Sequence, residues 1–155
     1  MLASYLSVPL IERRTGRIQL TETLTKLSLI AIVDDDEPLR EALGSVLKAA
    51  GFSTNTFSSA EELLDSPDRA KIACLILDVR LPGMSGIELQ RRLIDTDDPL
   101  PIIFVTAHGD ASLRNVVMQA GAAGFLNKPV RSDALLKEIR AALEKARTRS
   151  ALNAG

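Results

Sequence analysis

The chain has 155 residues, the length of one ordinary domain, and combines 46% hydrophobic with 25% charged residues, a balance typical of folded globular proteins. Its 19 basic and 20 acidic residues give a net charge of −1, which excludes a uniformly basic surface for nucleic acid or an anionic membrane. A single cysteine and a single histidine exclude a disulfide framework and multi-Cys or multi-His metal sites. Any divalent cation must therefore be held by oxygen ligands.

Residues 1–27 show neither a strand pattern nor a sustained helical period, and we predict that they form a mobile N-terminal extension. The alternative is a short helix over residues 2–10 that docks on a partner, but Pro9 interrupts it. No basic region precedes this stretch, as a signal peptide requires, and no apolar run approaches the ~18 residues of a membrane span. We therefore expect a cytoplasmic protein.

From residue 29 onward, strand and helix patterns alternate five times. The strand candidates are Leu29–Val33, Phe52–Phe57, Ile72–Leu77, Ile102–Val105 and Gly124–Leu126. Apolar residues at helical spacing follow each strand. They mark helices around Leu39–Leu47, Ala60–Leu64, Leu89–Leu93, Leu113–Ala120 and Leu135–Leu143. Strict alternation predicts a doubly wound α/β domain over residues 28–147, with a C-terminal tail at 148–155.

The composition of the strands predicts their order. The first, third and fourth are continuous apolar runs, as strands buried on both faces are. The second is polar in its middle and the fifth has only three residues, which favours an edge position for both. With right-handed crossovers, the expected five-stranded parallel sheet has the order 2-1-3-4-5, the flavodoxin-like arrangement.

Ligands bind such a sheet beyond the carboxyl ends of its strands, where the strand order reverses. The residues found there are Asp34-Asp35-Asp36-Glu37, Asp78, Thr106 and Lys128. Each has an ordinary explanation on its own: an acid caps a helix, and the others are loop or surface residues. Together they predict a site, since clustered carboxylates repel one another unless a cation lies among them. Mg²⁺ is the usual dication for oxygen ligands.

Four segments closely resemble the receiver domain of bacterial two-component response regulators, in the CheY-like superfamily. They are Val33-Asp34-Asp35, Leu77–Gly86, Val105-Thr106-Ala107 and Lys128-Pro129, and the resemblance covers residues 28–147. The His108-Gly109-Asp110 sequence is more similar to the FixJ-type branch. The resemblance implies a phosphoprotein of a phosphorelay, which assists its own phosphorylation and dephosphorylation but is not an enzyme.

The resemblance also implies a role for each site residue. Asp78 would be the phosphoacceptor for a sensor histidine kinase or histidine phosphotransfer protein. Asp35, Asp78 and the backbone carbonyl of Arg80 would bind Mg²⁺, with Asp34 acting through a water. Lys128 would pair with Asp78 and then with the phosphoryl oxygens. The peptide bond after Lys128 would be cis.

Signalling would depend on Thr106 and Phe125. In the family, the threonine hydroxyl donates to a phosphoryl oxygen and the aromatic residue rotates toward the vacated space. The alternative for Phe125 is an ordinary core residue. Arg80 and His108 occupy positions that tune the hydrolysis rate in the family, although His108 is otherwise explained as a solvated loop residue.

Only about eight residues follow Arg147, so we expect a stand-alone receiver whose output is a change of surface. The face formed by helix 4, strand 5 and helix 5 is expected to bind a downstream protein. Its candidate outward groups are Gln119, Arg131, Lys137 and Arg140. This interpretation includes no direct binding to nucleic acid or membrane, and it allows a homodimer on phosphorylation.

Three alternatives use the same features. A haloacid-dehalogenase-like phosphatase needs a second aspartate at position 80, where this chain has arginine. A flavodoxin-like cofactor binder needs a phosphate-cradling loop after strand 1, where the acidic run would repel phosphate. A phosphorylation-independent adaptor needs none of the acidic cluster, Thr106 or Lys128, all of which are present.

Overall fold

The computed structural model describes residues 28–96 and 100–154. Strands and helices alternate in this order: β1 Leu29–Val33, α1 Glu37–Ala49, β2 Ser53–Phe57, α2 Ala60–Leu64, a 3-10 turn at Arg69–Lys71, β3 Ile72–Leu77, α3 Gly86–Ile94, β4 Ile102–Thr106, α4 Ala111–Gln119, β5 Gly124–Asn127 and α5 Ser132–Ala154. The extension predicted for residues 1–27, and with it the alternative helix over residues 2–10, lies outside the described residues.

The sheet has the predicted parallel order β2-β1-β3-β4-β5. Three of its strands differ from prediction by one residue. Phe52 lies just before β2 because its N–H donates to the carbonyl of Leu47 at 3.0 Å, which closes the end of α1. Thr106 and Asn127 pair across the sheet and so extend β4 and β5 by one residue each.

Two hydrophobic cores cover the two faces of the sheet. One lies under α2, α3 and α4 and contains Leu63, Leu89 and Val117. The other lies under α1 and α5 and contains Leu47 and Ile139. Burial of each aliphatic side chain stabilises the folded state by ~1.5–3 kcal/mol relative to exposure. The two cores therefore hold the strand ends in a fixed arrangement.

The last helix is longer than predicted. Residues 148–154, treated as a tail in the sequence, continue α5 without a break. This stretch contains no glycine or proline, and its alanines, arginine and leucine favour helix. The Thr148 hydroxyl also donates to the carbonyl of Glu144 at 3.0 Å. Among the helices of the described chain, none combines the length and hydropathy needed to cross a bilayer.

Cys74 provides a test of the packing. Its side chain is fully buried in β3, and burial raises the pKa of its thiol to about 12. We expect the folded protein to resist a thiol reagent at pH 8, and one thiol per chain to react in denaturant. Because the folded pKa is raised, the stability that this thiol contributes is present below its unfolded pKa and is lost as pH rises toward 12. Immediate reaction of one equivalent in native protein would contradict this packing.

Candidate functional site

The polar residues singled out in the sequence lie together at the carboxyl edge of the sheet. Asp34, Asp78 and Thr106 are buried at the ends of β1, β3 and β4, with relative exposures of 3%, 6% and 1%. Lys128 follows β5 and reaches across the edge to both aspartates. Buried polar residues of this kind are uncommon without partners, so the edge is a built site rather than a set of loop ends.

Three carboxylates form the acidic part of the site. Oxygens of Asp34, Asp35 and Asp78 lie within 4.8 Å of one another, with Asp35 exposed and the other two buried. Three carboxylates and the Lys128 ammonium leave a formal charge of −3 + 1 = −2. An oxygen-only donor set with this charge fits a hard dication such as Mg²⁺.

Lys128 joins the two buried aspartates. Its Nζ donates to Oδ2 of Asp34 and to Oδ2 of Asp78, each at 2.8 Å. The contact with Asp78 was anticipated from the sequence, and the contact with Asp34 was not. The Lys128-Pro129 peptide bond is cis, as predicted.

The electrostatics of the metal-free cluster favour cation binding. Burial raises the pKa of Asp34, and the charge of Asp78 adds to this effect, although hydrogen bonds from Lys128 and the Asp36 N–H oppose it. Burial alone lowers the pKa of Lys128, but the hydrogen bonds and charges of the two aspartates outweigh it, so the net pKa is raised. The Lys128 ammonium therefore stays charged. Because the pKa of Asp34 is raised, ionisation of Asp34 lowers the stability of the metal-free folded protein.

The acidic loop after β1 is held by backbone contacts. Asp36 caps α1 by accepting the Leu39 N–H at 3.2 Å, and its own N–H donates to Oδ1 of Asp34 at 2.9 Å. From α1, Nη1 of Arg40 donates to the carbonyl of Asp34 at 2.6 Å. Asp36 thus fills the helix-capping role, which leaves Asp34 and Asp35 for the site. Sequence reasoning did not identify Arg40.

The loop after β3 approaches Asp78 through its backbone. The Arg80 N–H donates to Oδ1 of Asp78 at 3.2 Å, while the Arg80 side chain is exposed. Farther along this loop, Met84 is held by Glu61 of α2. Glu61 was not identified from the sequence, because nothing in its spacing distinguishes it from an exposed helix residue.

Phe125 lies beneath the loop that connects β4 and α4. Its ring is buried with 8% exposure and belongs to the core under α2, α3 and α4. A Cβ added at Gly109 would lie 2.5 Å from Cζ of this ring, so only glycine allows the loop to pack so closely. His108 in the same loop is exposed. The loop that follows Thr106 is therefore in direct contact with the aromatic residue of β5.

Comparison with known proteins identifies the family of this chain. The family model described as "Response regulator receiver domain" matches residues 30–140. The chain belongs to this family. The response regulator protein TodT of Pseudomonas putida is 45% identical over 119 residues, which cover 77% of this chain and 52% of the relative. The transcriptional regulatory protein FixJ of Bradyrhizobium diazoefficiens is 37% identical over 123 residues, covering 79% and 60%.

Solved structures give the same result. The response regulator StyR superposes with a TM-score of 0.74 and 42% identity, covering 81% of this receiver and 64% of that chain. A structure titled FixJ-N superposes with a TM-score of 0.68 and 38% identity, covering 76% and 94%. The predicted receiver fold and superfamily are confirmed. The chain spans about half the length of the curated relatives it matches.

The acidic cluster leads to a prediction about metal binding. Mg²⁺ at ten times its Kd should stabilise the receiver by ~1.4 kcal/mol, a Tm increase of several degrees, because the ion binds only the folded state. Asp35→Ala should abolish this response and leave the metal-free protein equally or more stable, since one repelling charge is gone. Asp36→Ala is the matched control: it loses a helix cap but keeps the response. Equal Mg²⁺ affinities of Asp35→Ala and wild type by calorimetry would refute the ligand assignment.

Proposed function

We propose that this receiver accepts a phosphoryl group on Asp78 from a phosphohistidine of a sensor histidine kinase or histidine phosphotransfer protein. The observation that carries this proposal is the buried Asp78 carboxylate, which Lys128 contacts at 2.8 Å beside two further carboxylates. In the reaction, an Asp78 oxygen bonds to phosphorus, the phosphorus–nitrogen bond breaks, and the imidazole leaves. Such a transfer requires positioning and neutralised oxygens more than covalent assistance from the protein.

Each neighbouring residue has a role in this proposal. Asp35, Asp78 and the Arg80 carbonyl would hold Mg²⁺, with Asp34 acting through a water, and the ion would neutralise charge on the phosphoryl oxygens. Lys128 orients Asp78 before transfer and pairs with the phosphoryl group afterwards. The exposed side chains of Arg80 and His108 lie on loops that follow Asp78 and Thr106, which supports a role in the rate of hydrolysis.

Thr106 and Phe125 are proposed to transmit the state of Asp78. Thr106 is buried beside the site, and its carbonyl accepts the Lys128 N–H at 2.9 Å. The loop that follows it rests on Phe125 through Gly109. A movement of Thr106 toward a phosphoryl group would therefore change the space available to the ring. This coupling would convert a local charge change into a change of the α4-β5-α5 surface.

We propose that this surface binds a downstream protein. Its exposed groups include Gln119, Arg131, Lys137 and Arg140, and Val116 on α4 is an exposed apolar side chain at 48%. Such a mixture of apolar and charged groups is typical of transient protein contacts. Action in the cytoplasm, without contact of the receiver to nucleic acid and with a homodimer on phosphorylation, is part of the same proposal. The net charge of −1 supports a protein partner over nucleic acid.

Intact-mass measurement tests the central step. The protein is incubated with acetyl phosphate in Mg²⁺ or in EDTA, and the sample is then treated with hydroxylamine. We expect one labile phosphoryl adduct in Mg²⁺, little in EDTA, and loss of the adduct with hydroxylamine, which cleaves acyl phosphates. A receiver that remains unmodified in Mg²⁺ would instead favour the adaptor alternative.

A further inference from the structure

Glu61 connects α2 to the loop that follows β3. Its Oε1 accepts a hydrogen bond of 2.6 Å from the backbone N–H of Met84. Met84 lies 23 positions farther along the chain. The pKa of Glu61 is held below its ordinary value, chiefly by this N–H. The carboxylate is therefore ionised at neutral pH, and it acts as a charged acceptor for the loop.

The tip of this loop is shaped to receive the carboxylate. Gly83 precedes Met84 and has a φ of +77°, a conformation that side chains other than glycine rarely adopt. A Cβ at this position would lie 2.7 Å from Oε1 of Glu61. The close approach of Glu61 thus depends on a glycine with left-handed backbone, so the contact belongs to one particular loop conformation.

The other end of the loop is tied to the phosphoacceptor. The Gly86 N–H donates to the carbonyl of Val79 at 2.9 Å and closes the base of the loop. The Arg80 N–H donates to Asp78 at 3.2 Å. Arg80 therefore lies between a fixed base and a tip that Glu61 holds from outside. The direction of its carbonyl is set by the backbone dihedral angles of this short segment.

We propose that Glu61 is a positioning residue for the metal site, an inference that rests on the proposed function. By fixing the loop tip at Met84, it selects the loop conformation in which the Arg80 carbonyl is available to Mg²⁺. Groups that orient metal ligands from outside the ligand shell commonly change metal affinity about 10–100-fold when removed. Glu61 is exposed and acts through several backbone bonds, so its effect is expected at or below the lower limit of this range, about threefold to tenfold.

Glu62 is a matched control for charge. It is adjacent to Glu61, exposed, and also has a lowered pKa. Its carboxylate, however, accepts the N–H and the hydroxyl of Ser58 at 2.9 and 2.7 Å, and so stabilises only the start of its own helix. Removing Glu62 deletes the same charge one residue away and leaves the loop contact intact.

Three variants separate the hydrogen bond from the charge, with Mg²⁺ affinity measured by calorimetry. Glu61→Ala should weaken Mg²⁺ binding about threefold to tenfold, and Glu61→Gln, which keeps an acceptor without the charge, should be intermediate. Glu62→Ala should lower the Tm through loss of the two hydrogen bonds from Ser58 but leave the Mg²⁺ Kd within about twofold of wild type. In metal-free Glu61→Ala, the Met84 amide should exchange faster with deuterated water. At saturating Mg²⁺, the phosphorylation rate of Glu61→Ala should return to that of wild type.

Two outcomes would overturn this inference while leaving the proposed function intact. One is an unchanged Mg²⁺ Kd in a folded Glu61→Ala protein. The other is an equal loss of affinity in Glu61→Ala and Glu62→Ala, which would assign the effect to charge alone. Absence of Mg²⁺ binding in wild type would overturn the proposed metal site itself, and is thereby distinguishable from both.

Discussion

Asp78→Asn should abolish phosphorylation by acetyl phosphate while the fold persists. The asparagine amide keeps the shape of the side chain and an oxygen that can accept from Lys128, which lies 2.8 Å from the native carboxylate. It lacks the anionic oxygen that attacks phosphorus. We expect the initial rate, followed by intact mass in Mg²⁺, to fall roughly 10³-fold or more, equivalent to ~4 kcal/mol of activation free energy.

The fold of this variant is checked separately. Asp78→Asn removes one of three repelling carboxylates, so its free energy of unfolding should equal or exceed that of the metal-free wild type. Asp36→Asn is a suitable control, because it neutralises an acid of the same edge that serves to cap α1. That variant should still gain the phosphoryl mass. If Asp78→Asn gains a hydroxylamine-sensitive adduct as fast as wild type, Asp78 is not the phosphoacceptor.

Much of the fold could be predicted because strands that are buried on both faces consist of apolar residues. The runs Leu29–Val33, Ile72–Leu77 and Ile102–Val105 are apolar throughout, since both faces of these strands are covered by helices. The polar middle of β2 marks an edge in the same way. The chain order of such strands and the handedness of their crossovers then leave few topologies.

The location of the site was also predictable, for a topological reason. Parallel strands bring their carboxyl ends to one edge, so the residue after each strand could be placed without knowing any side-chain conformation. Asp34, Asp78 and Lys128 are brought together in this way, although they are up to 94 positions apart in the chain. The role proposed for Asp78 is tested by the Asp78→Asn variant above.

The contacts that could not be predicted from the sequence are those that long side chains make with distant backbone groups. The Arg40 contact with the Asp34 carbonyl and the Glu61 contact with the Met84 N–H join a long side chain to a backbone group. A backbone acceptor or donor is present at every position, so no sequence pattern marks the partner. The length of α5 was missed for a related reason: residues 148–154 are exposed, and without an apolar stripe only helix propensity indicates helix.

Thr106→Ala should separate phosphate acceptance from signalling. Asp78, Lys128 and the acidic cluster remain in this variant, so it should still bind beryllofluoride, a stable mimic of the phosphoryl group. In wild type, we expect this mimic to shift backbone amide NMR signals beyond the site. The affected residues should include Leu113–Ala120 in α4, Phe125 in β5 and Leu135–Ile139 in α5. Thr106→Ala should lose most of these remote shifts.

The physical reason is that a ligand shifts a conformational equilibrium only by its differential affinity for the two states. The phosphoryl group discriminates between them if the Thr106 hydroxyl reaches its oxygens in one state only. Thr106 is 1% exposed, and the loop that follows it packs against Phe125 through Gly109. A displacement of Thr106 would therefore move the loop that contacts Phe125 in β5. Thr106→Ser keeps the hydroxyl and should retain the remote shifts, which distinguishes loss of the hydrogen bond from a change in packing.

The outcomes of this experiment assign the coupling to different elements. Remote shifts of equal size in Thr106→Ala and wild type would mean that Lys128 or the acidic loop, rather than the threonine, transmits the change. Remote shifts absent even from wild type would mean that the receiver stores or passes on phosphate without changing its surface. A Thr106→Ser protein that behaves like Thr106→Ala would implicate the threonine methyl group and its packing. Only retention in serine together with loss in alanine supports a hydroxyl that couples Asp78 to the α4-β5-α5 surface.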